Sequence, residues 1–164
     1  MDTEKLKNLA NYYNTARANI WVVVLFSAIN LVLTLGNTGR YVLFSAMAPL
    51  AFFEYSRAFA EIYRNELFYI LGAVMAAIII IIYFVFWLLS KRFRVFILVS
   101  LIYFSFDCLL VIYLIFINGF DRSWIFDIIF HIWIMFVFIK GTEAWAGLRK
   151  ADPELVANLI KKDK

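Results

Sequence analysis

A single cysteine, Cys108, and a single histidine, His131, are the chain's whole supply of thiol and imidazole groups. One cysteine excludes an internal disulfide and a two-cysteine redox couple. One histidine cannot ligate two haems. A closed zinc site wants four ligands, and His131 with Asp107 and Asp127 offers three at no diagnostic spacing. No metal and no other cofactor is expected. Charged residues are only 17% of the chain. They flank apolar stretches and form no basic face, so the net charge of +4 reflects membrane orientation and no nucleic-acid partner is expected.

Motifs are also missing. There is no Walker P-loop, HExxH pair, GxSxG elbow or TVGYG filter, and no arginine-rich helix. These absences weigh against nucleotide hydrolysis, zinc and serine hydrolase chemistry, potassium conduction and voltage sensing. No catalytic residue is assigned and an enzyme is not expected. No cleavable signal is expected either. The first apolar run begins at Ile20 after a polar stretch of mixed charge, and Leu33-Thr34-Leu35-Gly36 fits an A-x-A site poorly. The run reads as a retained signal anchor. Asp2 after Met1 and the closing Lys-Lys-Asp-Lys carry no lipidation signal.

What fills the chain instead is hydrocarbon. Hydrophobic residues are 65% and aromatics 20%, against roughly 45–50% apolar residues in soluble domains. Crossing a core about 30 Å thick takes roughly 20 apolar helical residues. Ile20–Gly36, Leu67–Leu89, Val95–Ile117 and Trp124–Lys140 meet or approach that length. They consume the chain as one transmembrane domain, 1–164. The predicted fold is an all-α membrane four-helix bundle.

Three amphipathic additions are expected. Leu6, Leu9, Tyr13 and Ala16 line one face of an N-terminal helix that runs along the interface into the first span. Between spans 1 and 2, residues 41–64 form an interfacial segment. Pro49 interrupts its apolar part, leaving Tyr41–Ala48 as an interfacial or re-entrant stretch. Phe52–Arg64 then reads as an extracytoplasmic helix. Its charged stripe, Glu54, Arg57, Glu61 and Arg64, should meet water, while Phe59 and Ile62 are shielded. Last, Asp152-Pro153-Glu154 starts a short cytoplasmic helix.

A fifth span within 41–64 is the alternative topology. Charge decides against it. With four spans and both termini in the cytoplasm, twelve of the 16 Lys and Arg residues lie inside, and Arg40, Arg57, Arg64 and Arg122 outside. A fifth span would export Lys91-Arg92-Phe93-Arg94.

The pointer to chemistry is a set of polar residues inside the spans. Asp107 lies about 12 residues, roughly 18 Å, from the inner end of the third span. A carboxylate there costs at least about 2.5 kcal/mol, so it must face the bundle, pair, or be protonated. His131 is central in the fourth span, with Asp127 one turn earlier on the same face. The short Asn118–Ser123 turn matches the depths of Asp107 and His131 within about one helical turn, so a contact between them is geometrically easy. Ser27 and Asn30, with Asn19 and Thr34, make a polar stripe on the first span able to line a wet path. Each has a structural reading too. Asp127 suits the first turn of a helix, and the others suit interhelical hydrogen bonding. Cys108 points away from Asp107 as inert packing.

Asn30-Leu31-Val32-Leu33, then Tyr41-Val42-Leu43-Phe44-Ser45-Ala46 with Pro49, and Asp127-Ile128-Ile129-Phe130-His131-Ile132-Trp133 resemble a group of small, uncharacterised bacterial four-span membrane proteins. The resemblance implies a bacterial inner-membrane location and carries no activity. The resulting expectation is a polytopic, non-enzymatic accessory or assembly subunit of a membrane complex. The bilayer is its medium, and a membrane protein or a second copy its partner. The alternative is a small proton-linked transporter or permeation protein working through the Asp/His cluster. A polar cavity reaching Asp107 would favour transport.

Overall fold

The computed structural model describes residues 3–38, 45–122 and 124–151. Five helices carry the described fold: α1 (Thr3–Leu35), α2 (Met47–Tyr63), α3 (Glu66–Ser90), α4 (Phe96–Asn118) and α5 (Trp124–Leu148). Four of them, α1, α3, α4 and α5, are long and apolar enough to cross a membrane. The protein is thus a polytopic, all-helical membrane protein, and each expected span falls within one of these helices to within a residue at its ends, α1 and α5 extending well beyond theirs. The C-terminal helix expected after Asp152 lies outside the described residues, as do residues 41–44 of the expected interfacial stretch.

The N-terminal segment runs into the first span without a break. α1 is one helix of 33 residues, about 50 Å long, and its first turns continue the bundle. Leu6, Tyr13 and Ala16 are buried against an α5 that runs on past Ile139 to Leu148. The approach is close because Gly141 has no side chain. A Cβ there would stand 2.3 Å from that of Ala16, the small-residue contact typical of membrane helix pairs. At this end Arg17 donates to the Ser90 hydroxyl at 3.0 Å, and the Tyr13 hydroxyl donates to the Ser90 carbonyl.

α2 and α3 form an antiparallel hairpin. Arg64 takes the left-handed conformation, φ 49°, that ends α2, and Asn65 caps α3 by accepting from the Leu67 N–H at 3.0 Å. Gly72 admits Ser56 so closely that a Cβ would meet it at 2.3 Å. Phe53 is buried edge-on to Tyr69. Phe59 and Ile62 are 47% and 71% exposed; Phe53 and Ser56 pack on α3, while Met47 and Ala51 cluster with Val111 and Leu114 of α4. Tyr55 and Ile62 face outward, Phe59 meets Phe68 of α3 at 6.3 Å between ring centroids, and Arg57 pairs with Glu54 at 2.8 Å.

The interruption assigned to Pro49 is also corrected. Pro49 lies in the first turn of α2, where the missing N–H belongs to a group that has no intrahelical partner in any case. The helix therefore begins five residues earlier than Phe52, and it begins inside the protein: Ser45, Ala46, Met47 and Pro49 are all buried.

A buried carboxylate that caps a helix from outside

A helix start leaves several backbone N–H groups unpaired. A serine or aspartate normally serves them, but the residue before α2 is Ala46, whose side chain makes no cap hydrogen bond. The donors find partners on other helices. The Ala46 N–H donates to the Ser27 hydroxyl at 3.0 Å. The Met47 and Ala48 N–H groups donate to the two carboxylate oxygens of Asp107, at 2.9 Å to Oδ2 and 2.6 Å to Oδ1. The next residue is Pro49 and has no N–H. The Asn30 amide donates to the Ser45 hydroxyl at 2.6 Å. The chain entering α2 is thus tied to α1 and α4 at every step.

Asp107 stands eleven residues from each end of α4, about 16 Å from either. The α2 N-terminus is therefore held near mid-span, and the positive end of its dipole faces a carboxylate. This resembles the broken helices of transporters, whose half-helix N-termini point at anions near the midplane. Here the anion is the protein's own.

His131 completes the set. Its Nε2 is 2.8 Å from Asp107 Oδ2, which is the contact expected from the matched depths. Its Nδ1 is 2.7 Å from the Asp127 carbonyl oxygen. A carbonyl only accepts, so Nδ1 carries a proton. The Nε2–Oδ2 contact then holds one further proton, and the pair is neutral overall. Asp107 is 3% and His131 4% exposed. The Phe104 ring stacks on the imidazole at 5.2 Å, and Phe130 meets it edge-on at 5.6 Å. Aromatic walls and three hydrogen-bond donors leave the carboxylate firmly positioned.

The structure thus brings Asp107, His131, Ser27 and Asn30 to one locus. Asp127 contributes its backbone carbonyl, while its carboxyl-bearing side chain is buried in the first turn of α5. The rest of the expected α1 stripe bonds locally. Asn19 donates to the Thr15 carbonyl and Thr34 to that of Asn30. Cys108 is a half-buried free thiol. No group of three or more His, Cys, Asp or Glu among the described residues is placed to hold a metal ion. Sequence reasoning missed the backbone of Met47 and Ala48 and the Ser45 hydroxyl. The available signal was Pro49 read as a first-turn residue. No protein-family model matches the chain, and no curated protein or solved structure matches it either.

Proposed function

We propose that this polytopic membrane protein is a non-enzymatic accessory or assembly subunit of a membrane complex. One observation carries the reading: the buried carboxylate is already engaged by the α2 N-terminus and by His131. A proton carrier must exchange its proton with both sides of the membrane. Asp107 instead serves as a fixed cap, and the cavity that reaches it is walled almost wholly by apolar surface. The basic-residue split and the resemblance to small bacterial four-span proteins support an inner-membrane location with both termini cytoplasmic.

The test is flux. Purified protein in liposomes carrying a pH-sensitive dye, under an imposed potassium diffusion potential, should leak protons no faster than protein-free liposomes. The chromosomally tagged protein, extracted in mild detergent, should migrate well above its own 19.2 kDa plus micelle. A flux above background that His131→Gln abolishes in folded protein would overturn the reading in favour of transport.

A further inference from the structure

A cleft of about 920 Å³ lies between the end of α1 and the turn of the α2–α3 hairpin. Side chains of both charge signs line it, Arg57 and Arg64 with Glu61 and Glu66. Arg57 is engaged by Glu54. Arg64, Glu61 and Glu66 make no ion pair among the described residues. Asn65 also lines the cleft; its side-chain carbonyl oxygen accepts from the Leu67 N–H, which leaves its amide nitrogen as a donor. We propose that this cleft binds the head group of a zwitterionic phospholipid that carries a primary ammonium. Arg64 and Asn65 donate to its phosphate, and Glu61 and Glu66 accept from its ammonium.

Position selects a lipid. The cleft is lined by the last residues of one spanning helix, Thr34 and Leu35 of α1, and by the first turns of another, α3. The end of a spanning helix is where hydrocarbon gives way to the head-group layer. The wall also changes character with depth. The charged side chains gather at the hairpin turn. Ile70, one turn further into the span than Glu66, lines the cleft and is 56% exposed. A soluble solute has no use for that apolar edge, whereas it suits the glycerol and upper acyl chains of a lipid.

Charge selects the head group. With Arg57 held by Glu54, the cleft offers one free guanidinium and two free carboxylates. An anionic lipid would satisfy Arg64 and leave Glu61 and Glu66 unopposed beside its phosphate. A phosphate with an ammonium attached satisfies both signs through charge-assisted hydrogen bonds. The ammonium must be able to donate, which a quaternary choline cannot do. The volume lies within the range of small-molecule sites and takes a head group with its glycerol.

The experiment uses the full chain, delipidated in mild detergent. Native mass spectrometry follows its titration with dioleoyl lipids that differ only in head group: phosphatidylethanolamine, phosphatidylcholine and phosphatidylglycerol. Phosphatidylethanolamine should bind about tenfold more tightly than either of the others, as one hydrogen bond to a charged group allows. Arg64→Gln should weaken it about fivefold or more. Glu61→Gln combined with Glu66→Gln should abolish its preference over phosphatidylglycerol. All three side chains are exposed, so both variants should melt close to the parent without lipid, which separates lost binding from lost folding. Soluble glycerophosphoethanolamine should compete only at far higher concentration. Equal binding of the three lipids, tightest binding of phosphatidylglycerol, indifference to both variants, or competition by the soluble head group at lipid concentrations would each overturn the proposal.

Discussion

Asp107 Oδ1 lies 2.6 Å from the backbone nitrogen of Ala48, a residue 59 positions earlier in the chain. A side chain in the third span thereby caps a helix that starts inside the bundle. The same carboxylate holds His131 through its other oxygen. Loss of Asp107 strands two backbone donors and an imidazole together.

Asp107→Ala is expected to destabilise the protein by about 3–5 kcal/mol, the cost of leaving buried partners unpaired. His131→Leu should cost less, because Met47 and Ala48 still hold the carboxylate. The double change Asp107→Ala with His131→Leu should be milder than the sum of the singles but not neutral, since two N–H groups remain without an acceptor. Thermal unfolding in one detergent across the four proteins measures this. A double variant as stable as the parent would mean that the helix cap contributes nothing.

Release of α2 should be visible chemically. In a Cys108→Ala background, Met47→Cys should resist a water-soluble maleimide, because Met47 is buried at the helix start. Adding Asp107→Ala should make it react within the same exposure time. Equal protection in both would show that α2 stays seated without the carboxylate.

Ser27→Val should cost about 1–3 kcal/mol by removing the acceptor for the Ala46 N–H. Its effect should couple to that of Asp107→Ala by more than about 0.5 kcal/mol, as expected for groups holding one segment. Strict additivity in a double-mutant cycle would separate the two contacts.

Gly141→Val should separate α1 from α5, since even a Cβ meets Ala16 at 2.3 Å. A loss of about 1–3 kcal/mol is expected from overpacking. Combining it with Ala16→Gly should restore part of the loss, and a melting temperature unchanged by Gly141→Val would contradict the close approach.

Reporter fusions after Arg94 and after Lys164 should both give cytoplasmic signals, and a fusion after Glu61 an external one. The packing requires the first two to share a side only if α4 and α5 each cross once. An external signal at Arg94 would refute the arrangement.

The four spanning helices were legible in the sequence because length and apolarity alone qualify a segment to cross hydrocarbon, whatever it packs against. The possibility of an Asp107–His131 contact was legible too, since a short turn between antiparallel helices matches their depths; that the two faces meet came from the fold. The outward face of α2 was not. The spacing of Phe59 and Ile62 gave an apolar stripe, but which side α3 packs on was set by Gly72 and Ser56, whose small size lets the two helices approach closely.

By itself, then, the sequence marked four segments long and apolar enough to cross a membrane and set Asp107 and His131 at depths that permit a contact. Only the tertiary structure decided what that carboxylate does. Its partners at Met47 and Ala48 are backbone N–H groups, which every residue but proline possesses, so no side chain announces them. The helix they open is preceded by Ala46, which cannot cap it. The missing acceptor had to come from another helix, and in hydrocarbon, with no water to substitute, the fold places Asp107 there.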